Sequence, residues 1–223
     1  LFMGKRVSVA ETKAQLFRRP DLWWSTLSYF FFVSVFYGMI TWLPSYFIKA
    51  RGMDMIQMGW VVSIPWVGAL IGSLVGGWIV DHWLGGDPLP VMRWGSLATA
   101  GSLYLFSVAP DGMGWILATL LLFGFFVGFA PLGFMTYPIR LAARDIYPLG
   151  ISFQNSGGNI GGFLSPVFAG VLLDRFGDYS IMFAYFIGCA IVAAALAMLV
   201  RTPTATPDGQ LRTGEASKER NAV

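Results

Sequence analysis

Six stretches of this chain carry no charged side chain, and their lengths leave little choice of fold. They run 22 to 48, 55 to 80, 94 to 110, 112 to 139, 146 to 173 and 179 to 200, with 27, 26, 17, 28, 28 and 22 residues. A helix needs roughly 17 to 25 predominantly apolar residues to cross about 30 Å of hydrocarbon. Backbone in lipid must satisfy its own hydrogen bonds, and these runs far exceed the length of a barrel strand. The pattern therefore predicts six transmembrane helices, at about 22–48, 56–81, 89–109, 114–136, 148–173 and 180–200, the third spanning if Arg93 snorkels. Hydrophobic residues make up 56% of the chain and charged ones 12%, against about 25% charge in soluble domains. A water-soluble globule is excluded.

Positive charge sets the expected orientation. With the first residues on the cytoplasmic side, that side holds 12 Lys and Arg and the other holds 3: Lys49, Arg51 and Arg175. Such a bias in short loops places both termini inside, at a cell (inner or plasma) membrane. The same placement accounts for the net charge of +3 without nucleic acid, because the basic residues sit in loops and tails. Residues 1–21 are expected as a cytoplasmic linker with a short helix near Val9 to Phe17, and 22–200 as the transmembrane domain. Residues 201–223 lack aromatic and most large apolar side chains, so a disordered cytoplasmic tail is expected there. A first residue of Leu suggests a fragment, and the polar, basic N-terminal stretch does not look like a signal peptide. The one cysteine, Cys189, lies within the last apolar run, which leaves no internal disulfide and no Cys-based metal cluster.

Glycines recur at helical spacing: Gly68, Gly72 and Gly76 in the second helix, Gly124 and Gly128 in the fourth, and Gly157/Gly161 with Gly158/Gly162 in the fifth. Small residues four apart let helix backbones approach in lipid. Static helix packing is the plainer reading and sliding contacts the sharper one; spacing alone does not separate them. The fifth helix also carries Gln154, Asn155, Ser156 and Asn159, uncharged polar groups that must each find a partner in low dielectric. Asn155 and Asn159 share one face, which lines either a helix contact or a wet cavity. In the first helix Tyr37 and Thr41 are four apart; a tyrosine there can bond a polyol or carboxylate, or anchor the helix at the interface. Thr136, close to Pro138, is a further lining candidate.

Two local patterns carry a family resemblance. The first helix ends in Trp42-Leu-Pro44-Ser-Tyr46, followed by an Arg51-Gly52 turn, and the second ends in Gly77-x-x-x-Asp81. With the six-helix layout they resemble the seventh and eighth helices of the major facilitator superfamily, in its organic anion:cation symporter branch. The chain departs from that pattern at His82, where the family usually has Arg, and at GGDPLP, where closing basic residues would stand.

The resemblance implies an all-α membrane domain of two inverted three-helix repeats, one half of a twelve-helix transporter. It implies alternating-access transport of a small organic anion, such as a sugar acid or dicarboxylate. Asn155 and Asn159 match an Asn-x-x-x-Asn pair that faces the substrate in sugar-acid transporters, and Tyr37 and Thr41 match a cavity-lining helix end. Asp81 corresponds to a gating carboxylate; it would face the start of the fifth helix near Tyr147 to Gly150, with Arg140 and Arg144 as candidate ionic partners. The alternative for Asp81 is a solvated helix end. No Asp, Glu, Lys, Arg or His lies mid-helix, so proton coupling and anion binding fall to an N-terminal six-helix half. No cofactor or metal is expected.

Other classes fare worse. The single His, His82, sits at a membrane edge, so no Ser-His or Cys-His pair can form deep in the bundle. An intramembrane enzyme or a non-transporting six-helix protein is the alternative reading. Channel signatures such as an Arg-rich sensor helix are absent.

Overall fold

The computed structural model describes residues 16–110, 112–141 and 147–201. Among them six helices follow one another, with no strand: α1 (Pro20–Lys49), α2 (Met55–His82), α3 (Leu89–Ser107), α4 (Met113–Leu141), α5 (Tyr147–Phe176) and α6 (Tyr179–Leu199). Arg144, the start of the helix expected near Val9, and the tail from 202 onward lie outside the described residues.

The boundaries follow from charge and backbone chemistry. Pro20 opens α1, where its missing N–H is no loss. Asp54 caps α2 by accepting from the amides of Ile56 and Gln57 at 2.9 and 2.8 Å, and Asp178 caps α6 through the Ser180 amide at 2.8 Å. After α5, Gly177 adopts φ +68°, and its amide closes the helix on the Leu173 carbonyl. The charged residues that interrupt the apolar runs thus serve as caps and ends.

Packing organises the bundle around α1 and α4. α1 packs chiefly on α5 and α6, α4 chiefly on α2 and α3, and α3 meets α6. Exchanging the first three helices for the last three maps these major contacts onto themselves. With an odd number of helices per repeat, the two repeats run in opposite directions, so the architecture is that of inverted three-helix repeats. The glycine stripes set the closest approaches. On α2, Gly68 and Gly72 lie against the α4 backbone at Leu121 to Phe125, and Gly124 and Gly128 return the contact on the backbone at Pro65 and Ala69. A Cβ at any of these four would collide with main-chain atoms. Gly76 meets the side chains of Phe129 and Leu132, whereas Gly77 has nothing within 4 Å.

Buried side chains form two clusters along the bundle. One holds Met39, Phe47, Phe106, Phe183 and Phe186; the other, nearer the ends of the described chain, holds Leu22, Phe32, Met92, Phe134 and Tyr137. The outer faces of α2 and α5 stay open, with Trp60 and Phe163 each 75% exposed. Apolar side chains so exposed fit a lipid or protein surround, not water.

Five of the six helices are long and apolar enough to cross a membrane; the 19-residue α3, which contains Arg93, is not among them. Arg93 reaches the C-terminal end of α6, donating from Nε to the Ala197 carbonyl at 3.1 Å and from Nη2 to the Val200 carbonyl at 2.6 Å. The last carbonyls of α6 carry the negative end of its dipole, so they compete well with water for a cation. The Tyr137 hydroxyl donates to the Arg201 carbonyl, and the Arg201 amide donates to Asp21, each at 3.1 Å. The ends of α1, α3, α4 and α6 meet at this one point.

Candidate binding cavity

A cavity of about 230 Å³ lies among α1, α2, α4 and α5. Complete small-molecule sites occupy ~300–1,000 Å³, so this volume suits part of a site. From α1 come Tyr29, Phe32, Val33, Phe36 and Tyr37, from α2 Trp66 and Ala69, from α4 Val127 and Pro131, and from α5 Asn155 and Asn159. The spacing 29, 32/33, 36/37 is that of one helical face.

Glycines on α5 decide how the tyrosines sit. The ring of Tyr29 covers Gly158 and that of Tyr37 covers Gly162, each so close that a Cβ would strike the ring. Phe36 stands edge-on to Tyr37, with centroids 5.3 Å apart at 78°, and edge-on to Trp66 at 5.6 Å and 81°. These contacts hold the aromatic groups in place beside the cavity.

The polar residues of α5 divide between two tasks. Asn155 and Asn159 are exposed toward the cavity, and the Asn159 amide donates to the Asn155 backbone carbonyl at 2.9 Å. Neither side chain bonds another helix among the described residues. Gln154, about 100° around the helix, is fully buried; it accepts from the Ser25 hydroxyl of α1 at 2.8 Å and donates to the Phe134 carbonyl of α4 at 2.5 Å. That carbonyl would normally bond the residue four positions on, which is Pro138 and has no N–H. Gln154 supplies the missing donor and ties three helices together.

The cavity wall contains no Asp, Glu, Lys, Arg or His; its polar side chains are two amides, two phenols and the Trp66 indole. It can exchange hydrogen bonds with hydroxyls or carboxylates and lie flat against apolar faces, but it supplies no countercharge.

Of the residues singled out by sequence, Asn155, Asn159 and Tyr37 meet in this cavity, while Thr41 and Thr136 do not line it. Thr41 is one turn, about 6 Å, beyond Tyr37. Thr136 is five residues past the lining Pro131, about 140° around α4, and therefore points elsewhere. Trp66 and Phe36 were not anticipated; their signal was the helical spacing from Ala69 and Tyr29, which a core face shows equally.

Among the described residues the ionic partner expected for Asp81 is not Arg140, and Arg144 lies outside them. Arg140 donates from Nη2 to the Gly85 carbonyl at 3.2 Å instead of to Asp81, which is exposed and makes no ion pair among the described residues. Nor does Asp81 face the start of α5: α2 packs on α4 while α5 packs on α1, and Gly150 has Pro138 and Leu16 as neighbours. His82, next in sequence, stacks on Trp78 with centroids 5.2 Å apart.

Similar proteins agree with this architecture. The chain is 29% identical over 180 residues to a probable galactarate/D-glucarate transporter of Escherichia coli strain K12, covering 74% of this chain and 37% of the relative. It is 28% identical over 207 residues to a probable sulfoacetate transporter of Cupriavidus necator, covering 87% and 45%. A hexuronate transporter of Bacillus subtilis strain 168 is 24% identical over 212 residues, covering 86% and 47%. The chain therefore spans less than half the length of each of these relatives, which are transporters and not enzymes. Among solved structures, the fucose:proton symporter of Escherichia coli superposes with a TM-score of 0.74 at 19% identity, covering 89% of this chain and 47% of that one. A peptide transporter gives 0.73 at 16% identity, covering 97% and 47%; both likenesses speak to fold alone. A family model described as Major Facilitator Superfamily matches residues 3–166, well over half of the sequence, and the chain belongs to that superfamily.

Proposed function

We propose that this chain forms half of a transporter that moves a small organic anion, a sugar acid or dicarboxylate, across the cell membrane by alternating access. The observation that carries the reading is the convergence of Asn155, Asn159 and Tyr37 on one uncharged cavity beside open helix faces. These residues bind the hydroxyl-bearing, uncharged part of the substrate. An N-terminal six-helix half completes the site, supplies the countercharge for the anion and carries the coupling proton. Asp81, on the uncovered side of α2, acts as a gate against that second half and not against α5. Both termini lie in the cytoplasm. Support comes from the relatives named for galactarate, glucarate and hexuronate, and from a wall whose neutral donors and acceptors suit hydroxyls.

The test is uptake of labelled D-glucuronate into proteoliposomes under an inward proton gradient, with the 223-residue chain alone and after co-expression with an N-terminal half. Accumulation is expected only in the co-expressed assembly, collapsing with a protonophore. Accumulation by the chain alone would overturn the division of labour, because no Asp, Glu, Lys, Arg or His lines its cavity. Absence of accumulation in both preparations would overturn the transport reading for this substrate class.

A further inference from the structure

We infer that the cavity receives the uncharged part of its substrate as a closed ring, so that among small organic anions it favours cyclic acids over open-chain aldarates. The inference narrows the transport reading above and rests on it. Aromatic surface dominates the wall contributed by α1 and α2. Trp66 and Tyr37 are 54% and 44% exposed despite their size, and both line the cavity. Neither is loosely placed: Phe36 stands edge-on to both, and Tyr37 is seated on Gly162. Rings braced this way present fixed apolar faces at little entropic cost on binding.

Hydrogen-bonding capacity is thin by comparison. Two amides, two phenols and one indole N–H are all that this half brings to the cavity, and Asn159 already donates to the Asn155 carbonyl. An open-chain polyhydroxy acid has hydroxyls along both sides of an extended chain. Whichever side meets the aromatic wall loses water and gains no partner, which is costly. A closed ring separates these surfaces: its C–H or π face lies on Trp66 or Tyr37, while its polar edge reaches Asn155 and Asn159. A pyranose uronate and a heteroaromatic carboxylate share this division; an aldarate does not.

The experiment uses the 223-residue chain co-expressed and purified with an N-terminal half in nanodiscs, and saturation-transfer NMR, which reads weak binding directly from ligand protons. D-glucuronate, nicotinate and galactarate are compared on the native chain, on Trp66→Leu and on Trp66→Phe, with helix melting followed by circular dichroism. The native chain is expected to saturate the ring protons of glucuronate and nicotinate and to leave galactarate about five-fold weaker. Trp66→Leu should lower the ring signals about five-fold, the loss of one stacking contact, and Trp66→Phe should keep them. Equal transfer to galactarate and glucuronate overturns the ring inference while leaving organic-anion binding standing. So does a Trp66→Leu chain that binds as the native one does. Should Trp66→Leu melt early, the ranking of the three acids on the native chain decides alone. Transfer to none of them overturns this inference together with the organic-anion reading beneath it.

Discussion

Adjacent amides on α5 have different neighbours, and that difference gives them separable roles. Gln154 is enclosed by Ser25 and by a Phe134 carbonyl deprived of its helical partner, while Asn155 opens into the cavity. Removing the Gln154 side chain strands a buried acceptor, at a cost of about 1 kcal/mol or more, within the range of interhelical hydrogen bonds in membranes. Gln154→Ala should therefore lower the melting temperature in detergent and leave ligand affinity nearly unchanged. Asn155→Ala should do the reverse in the assembled transporter: unchanged melting and about five-fold weaker substrate binding. Asn159→Ala should weaken binding less, because its amide donor is already held by the Asn155 carbonyl. Melting and Kd read side by side decide the matter; a stability loss at Asn155 equal to that at Gln154, with Kd unmoved, would remove Asn155 from the site.

Between elements, the distinction lies in which glycines of α2 touch another backbone. Gly72 abuts the Phe125 carbonyl of α4, whereas Gly77, on the same helix, faces open space. An added methyl at Gly72 must push two helices apart, an overpacking cost of about 1–3 kcal/mol. At Gly77 the same methyl meets nothing and gains up to about 1 kcal/mol of helix propensity. Gly72→Ala should thus melt well below the native chain, and Gly77→Ala at or slightly above it. Equal losses at both positions would contradict the α2–α4 packing. The stripe at 68, 72 and 76 and its counterpart at 124 and 128 face each other across α2 and α4, inside this one bundle.

At the scale of the whole molecule, the question is which way the bundle sits in its bilayer. The ends of α1, α3, α4 and α6 gather where Arg93, Tyr137, Arg201 and Asp21 meet, and the positive-charge bias predicts a cytoplasmic position for that end. With Cys189→Ser as background, single cysteines at Ser8 and Ser217 should resist a membrane-impermeant thiol reagent on intact cells and react after permeabilisation. Labelling of either on intact cells would reverse the assignment.

Length and charge spacing alone determined that this chain makes six helices, five of them long and apolar enough to span, because the cost of an unpaired backbone in lipid leaves no other use for such runs. Spacing also placed Asn155 and Asn159 on one face, since helical geometry is local. What spacing could not supply was the rotation of that face. Gln154 and Asn155 are consecutive polar residues, and only the docking of α5 against α1 and α4 turns one inward and the other to the cavity. The orphaned carbonyl left by Pro138 and the glycine seats under Tyr29 and Tyr37 fix that docking. Arg93, Arg140 and Asp81 tell the same story for charge. A sequence reveals which groups need partners, but a helix end or a loop carbonyl becomes the partner only when tertiary packing brings it near. That is why Arg93 caps α6 and Arg140 holds Gly85, while Asp81 is left on the open side of α2.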